Sequence, residues 1–313
     1  MRVQIVFLFC LRAAEGFGFL LTITPAPRLI RAVTLPSREK AAFGLWGSYM
    51  PFGVAIALLI GPFFVLRTGW PGWWLVLSLF SAATGIWVRI CVPEELQTQS
   101  DTRGSVITKA FAARLKLTLK SREPWLLAIA FAVYSFQWIA IIGFLPSIYA
   151  QAAIGAGLSA ILTAFAASMN ILGNLAGGGL LQRNISPSLL LKLGYGLMAI
   201  SGFIAFGRIG QNGDQLSASA MSQYLAICAF SLSGGVIPVT LFSLTARISH
   251  DASMVSTSVG LLQQGTSFGQ FAGPPIVGWI ASEAGNWHLT WLATLPCCLV
   301  GLVIAARISH LRR

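Results

Sequence analysis

Charge is what this chain has least of. Only 10% of its 313 residues are Asp, Glu, Lys or Arg, and nine of them are acids, whereas soluble domains carry about 25% charged residues. With 56% hydrophobic residues and a mean hydropathy of +0.76, a water-soluble globule is excluded; the composition is that of an all-α, polytopic membrane protein. Histidine is scarcer still. His250, His288 and His310 all fall near predicted membrane edges or loops, so no intramembrane metal site is expected. Cys10, Cys91, Cys228, Cys297 and Cys298 lie in or beside apolar runs without ligand spacing and read as packing residues. A Gly-rich phosphate loop and a nucleophile–base constellation are both missing, so ATP hydrolysis, other enzymatic activity and a cofactor are not expected.

Long apolar runs are what the chain has in quantity. Windows of about 20 apolar residues, enough for one crossing, recur nine times: about 3–25, 41–66, 73–92, 124–149, 158–181, 189–207, 222–246, 255–281 and 289–308. A polar, basic stretch from Pro93 to Glu123 divides them. The expected organisation is a three-helix group over 1–92, a linker over 93–123 and a six-helix group over 124–313. Arg12 and Glu15 interrupt the first run and no small-residue cleavage site follows it, so it reads as a span and not a signal peptide.

The net charge of +12 does not point to nucleic acid, because the basic residues are sorted by side. With alternate loops on opposite faces, 17 of the 21 Lys and Arg fall on one face; Arg2, Arg67 and Arg208 fall on the other. That asymmetry predicts an outside N-terminus and a cytoplasmic C-terminus. Tryptophans 70, 73, 74, 125, 279, 287 and 291 cluster at span ends as interfacial anchors. Lys109, Arg114, Lys116 and Lys120 in the linker suit anionic lipid headgroups. The bilayer is thus the expected partner, with no nucleic acid.

Polar side chains inside the runs are the candidates for function. A charge at mid-span costs roughly 2.5–3.5 kcal/mol on insertion scales, yet Arg12 and Glu15 share one helical face, three residues apart. Arg12 could hold an anion, since guanidinium keeps its proton, and Glu15 could carry a proton if burial raises its pKa; the alternative is a purely structural ion pair. Tyr134 with Gln137, Asn170 with Asn174, and Gln263 are uncharged groups that either line a wet cavity or make interhelical hydrogen bonds worth about 0.6 kcal/mol each. Gly265, Gly269 and Gly273 fall at four-residue steps before Pro274 and Pro275. They allow close helix packing, as a fixed seam or as a hinge. Gly234, Gly235 and Pro238 carry the same two readings.

A repeat underlies the pattern. Gly18 and Gly234, Arg31 and Arg247, Gly44 and Gly260, Gly53 and Gly269, and Gly69 and Gly285 are each 216 residues apart. The implied architecture is two homologous bundles related by an axis along the membrane normal. Six spans follow Pro124 and three precede it, so the offset predicts that three spans of the first bundle are absent.

Three motifs carry a family resemblance. Leu8-x-x-x-Arg12-x-x-Glu15-Gly16-x-Gly18 resembles the fourth-helix motif of the major facilitator superfamily, with Glu15 where glutamine is usual. Gly177 to Asn184 resembles that family's loop between helices eight and nine, with Gln182 in place of the acid. Phe43 to Gly53 is similar to the fifth helix of its cyanate-porter-like branch. The resemblance covers the whole chain as helices four to twelve and implies an incomplete twelve-helix fold. It further implies a secondary active transporter of a small solute, such as an organic anion or a drug. Such a protein would work by alternating access with proton coupling through Arg12, in a bacterial inner (plasma) membrane. A non-transporting scaffold or sensor with a structural Arg12–Glu15 pair is the competing expectation.

Overall fold

The computed structural model describes residues 2–91, 115–207, 216–248 and 252–310. Most of the predicted linker, 93–114, lies outside them, as do Arg208, His250, Arg312 and Arg313. Every regular element among the described residues is helical: α1 (Arg2–Ile23), α2 (Ala26–Val33), a 3-10 turn (Pro36–Arg38), α3 (Glu39–Gly47) and α4 (Tyr49–Cys91), then α5 (Arg122–Gln151), α6 (Ala156–Gln182), α7 (Pro187–Phe206), α8 (Leu216–Ile248), α9 (Ala252–Ala284) and α10 (Trp291–His310).

Against the nine predicted spans, seven helical stretches among the described residues are long and apolar enough to cross a membrane. The difference has two physical sources. Glu39–Cys91 counts once although its 53 residues exceed twice what one crossing needs (about 20 residues). It is broken at Gly69, whose φ of 70° and ψ of 176° belong to a region that only glycine occupies readily. The other source is α9, which is 33 residues long but diluted by Gln263, Gln264, Thr266, Ser267, Gln270 and two prolines, and does not reach the required hydropathy.

Helices α5 to α10 form one bundle around a continuous core that includes Leu127, Ile141, Tyr195, Met198, Phe230 and Ile237. Its closest contacts are built on glycine. A Cβ at Gly265, Gly269 or Gly273 of α9 would run into the carbonyl oxygens of Ala128, Ala132 and Phe136, the matching four-residue steps of α5. Helices α6 and α8 approach reciprocally: Gly173 lies on the Leu232 carbonyl and Gly235 on the Asn170 carbonyl. Backbones this close gain dispersion and weak polar contacts that side chains would forbid.

The first four helices pack less. Helices α3 and the first limb of α4 lie against α6, and α3 also meets α8. Helix α1 is almost entirely exposed; it meets α4 where Phe19 faces Tyr49 at a ring distance of 6.3 Å and where the Arg12 guanidinium sits 4.7 Å over the Trp74 ring. Gly69 and Gly285, 216 residues apart, both have positive φ, 70° and 66°. Each closes a long helical limb, the first bearing Gly53 and the second Gly260 and Gly269, so a shared backbone feature accompanies the sequence spacing.

Candidate functional site

The polar side chains converge where α3 and α4 face the six-helix bundle. On α5, Tyr134 and Ser135 point toward α6 and α9. The Asn170 amide of α6 donates to the Tyr134 hydroxyl at 3.0 Å and to the Ser231 carbonyl of α8 at 2.9 Å. Asn174, one turn on, donates to the Asn170 side-chain oxygen at 3.0 Å and to its carbonyl at 3.1 Å. Ser135 and Thr266 of α9 share a short hydroxyl–hydroxyl hydrogen bond, and Trp138 donates to the Ser231 hydroxyl at 3.1 Å. Across the seam, Gln270 of α9 meets the Met50 sulfur at 3.4 Å. These groups surround a cavity of about 30 Å³ walled by Tyr49, Tyr134, Ser135, Asn170, Thr266 and Gln270 among others, room for about one or two water molecules. Its described lining carries hydroxyls and amides and no formal charge.

Aromatic rings close the cavity on one side. Trp46 meets Phe242 edge-on at 4.5 Å, Phe242 meets Phe131 at 5.4 Å, and Phe43 lies 6.2 Å from Trp46. Beyond them, toward the face expected to carry most of the basic residues, Lys40 donates to the Leu181 carbonyl at 2.8 Å and to the Asn184 side-chain oxygen at 3.2 Å. The Gln182 amide donates to the Ser37 carbonyl at 2.5 Å. Helix α6 ends here in a left-handed turn, with Asn184 at φ 62° and the Ile185 amide bonded back to the Leu180 carbonyl, so its last carbonyls face a cation. A latch thus joins the two helical groups. It uses a lysine on one main-chain and one side-chain amide oxygen, not the acid that Gln182 replaces.

The residues singled out in the sequence are distributed unequally. Tyr134, Asn170 and Pro238 line the cavity, and Asn174 sits directly behind it, where α6 crosses Gly47 of α3. Gln137 does not face it: its amide donates to the Val133 carbonyl and accepts from the Cys298 thiol of α10 at 3.2 Å. Gln263 is buried beside the Tyr49 hydroxyl, but neither end of its amide makes a well-formed hydrogen bond. Arg12 and Glu15 pair at 2.7 Å on exposed positions of α1, 57% and 65% accessible, about 10 Å and about 6 Å along the helix from Phe19 and its contact with the cavity residue Tyr49. Gly234 packs under the Tyr134 ring and Met198. Sequence reasoning missed Tyr49, Ser135, Thr266, Gln270 and Lys40. One signal was present: Gln263, Thr266 and Gln270 follow the i, i+3, i+7 rule and share a face.

Comparison with known proteins agrees with this geometry. No curated protein matches the sequence. Among solved structures, the chain is similar to FucP, a major facilitator superfamily transporter whose crystal structure is in the outward conformation; the two are 18% identical, with a TM-score of 0.61 over 91% of this chain and 72% of that one. At this identity the likeness speaks for the fold. A family model for the Major Facilitator Superfamily matches residues 3–264. Helical architecture, bundle seam and family match therefore agree that this multi-pass membrane protein belongs to the major facilitator superfamily of transporters.

Proposed function

We propose that the chain carries a small polar solute across the membrane by alternating access, with the α3–α4/α5–α10 seam as its path. One observation carries this reading: hydrogen-bonding side chains from both sides of the seam face one cavity, closed toward the basic face by aromatic rings and the Lys40 latch. The cavity walls offer donors and acceptors without formal charge, which suits an uncharged, hydroxyl- or amide-bearing solute. At about 30 Å³ the cavity holds about one or two waters, so carrying such a solute requires the seam to widen. Membership in a transporter family speaks against the scaffold or sensor alternative.

A second reading, transport of an organic anion or drug coupled to protons, draws support from the Arg12–Glu15 pair and its match to the fourth-helix motif. The Phe43–Gly53 run favours the cyanate-porter-like branch. Uptake into proteoliposomes separates the two. The first expects neutral solutes to be carried without a pH gradient, with Asn170→Ala raising KM at least about fivefold, the loss of one buried hydrogen bond. The second expects Arg12→Ala and Glu15→Gln to abolish gradient-driven uptake; unchanged uptake in both variants rejects it. The proposed orientation, basic face and carboxyl end toward the cytoplasm, is checked by thiol labelling of single cysteines placed at Lys120 and Arg307, which it requires to be accessible from the same side.

A further inference from the structure

Helix α1 and the limb of α4 beyond Gly69 turn an apolar surface outward. Phe7, Phe9 and Phe17 of α1 and Leu79, Phe80 and Trp87 of α4 are each more than 60% accessible. Lipid suits such side chains. It does not suit Arg12 and Glu15, which stand well inside α1, more than half accessible, at the groove where the guanidinium meets Trp74 of α4. Their mutual bond engages one guanidinium nitrogen and one carboxylate oxygen and leaves most of the hydrogen-bonding capacity of both groups unused. Hydrocarbon offers nothing to fill it.

The sister half of the repeat has this face covered. Cys228 and Ser231 of α8, 216 residues on, hold the positions of Arg12 and Glu15. Both are buried, and Ser231 accepts at its hydroxyl from Trp138 of α5 and at its carbonyl from Asn170 of α6. Neutral groups thus meet a neutral pair there. On α1 two opposite charges take those places, so their cover has to present opposite charges at the same depth. Among the described residues Glu15 is the only acid away from a helix end; Glu39, Glu123 and Glu283 lie in the first or last two positions of their helices. A second carboxylate at the depth of Arg12 is therefore offered by another copy of this chain.

The pair is also self-complementary. Three residues turn a helix by about 300°, which leaves Arg12 and Glu15 about 60° apart around α1 and about 4.5 Å apart along it. A twofold axis along the membrane normal keeps depth and exchanges left for right across an interface. Arg12 then comes opposite Glu15 of the second copy, and Glu15 opposite Arg12 of that copy. We propose that the chain forms a twofold homodimer through the α1–α4 groove, its two Arg12–Glu15 pairs closed into one neutral ring of four charges. Neither residue lines the central cavity, so the dimer is independent of the transport path.

The test counts copies of the purified full chain, labelled once at an added C-terminal tag, by stepwise photobleaching in sparsely loaded liposomes. Two steps are expected for most particles. Arg12→Glu, which leaves two acids on each copy, and Glu15→Arg, which leaves two guanidinium groups, should each raise the dimer dissociation constant at least about tenfold, because like charges then face one another. Mixing the two single variants should restore pairing between unlike copies. The double exchange, Arg12→Glu with Glu15→Arg, should restore it within one chain. Should the single variants fail to fold, Arg12→Leu with Glu15→Leu keeps α1 apolar and is expected to leave the copies separate. Single bleaching steps at every protein density, or mixed variants that stay apart, would overturn the proposal. So would copies that remain single while Glu15→Cys is shielded from membrane-permeant thiol reagents in native membranes, a result that assigns the groove to a different membrane partner.

Discussion

At the scale of single residues, Asn170 is the most connected polar group of the site. It joins α5, α6 and α8 through Tyr134, Asn174 and the Ser231 carbonyl. Asn170→Ala strands those partners and should lower stability by about 1–3 kcal/mol, read as a drop in thermal unfolding temperature in detergent. Ala153 offers the opposite case. It ends α5 at φ 57° with the Ile154 amide bonded to the Tyr149 carbonyl, a left-handed position that costs an L-residue roughly 1–2 kcal/mol. Ala153→Gly should therefore raise stability by about 0.5–1 kcal/mol once the glycine entropy is subtracted. The polar residues were legible in the sequence because amides in apolar runs demand partners. Which of them face the cavity was not: Tyr134 and Gln137 are three apart, and that rotation suffices to send Gln137 toward Cys298. Lys40 reads in the sequence as one more basic loop residue, since nothing local reveals that a helix end 141 residues away lies beside it.

At the scale of helices, the glycine spacing foretold contact but not which helix it meets. Gly269 presses on the Ala132 carbonyl of α5, whereas Gly53, its mate 216 residues earlier, meets nothing within 4 Å. The two positions should respond with opposite signs. Gly269→Ala forces α9 off α5 and should cost about 1–3 kcal/mol as overpacking does. Gly53→Ala should gain about 0.5–1 kcal/mol of helix propensity. Thermal unfolding of the pair checks the asymmetry, and equal losses at both sites would contradict the packing described. Two elements account for the difference between nine windows and seven apolar stretches. Glu39–Cys91 is one apolar stretch turned at Gly69, which the windows divide in two, and α9 falls short because its Gln and Thr residues lower its hydropathy. A helix that serves a polar path is the one that an apolar criterion undervalues.

At the scale of the molecule, the two helical groups meet through small residues near the basic face, with Gly44 on Gly178 and Gly47 on Asn174, and are tied there by Lys40 and Gln182. Alternating access needs that tie to part. In a background with the exposed Cys10 and Cys91 replaced, Lys40→Cys and Asn184→Cys joined by a short, reducible thiol crosslinker should arrest uptake, and reductant should restore it. Undiminished uptake with the crosslink in place would show that this face never opens.

The tie's chemistry also bears on what can undo it. Among the described residues Lys40 is held by the Leu181 carbonyl and the Asn184 side-chain oxygen, so opening this end means breaking hydrogen bonds to neutral oxygens. In the proposed cycle the arriving cargo supplies that work, through strain passed along α3 and α6.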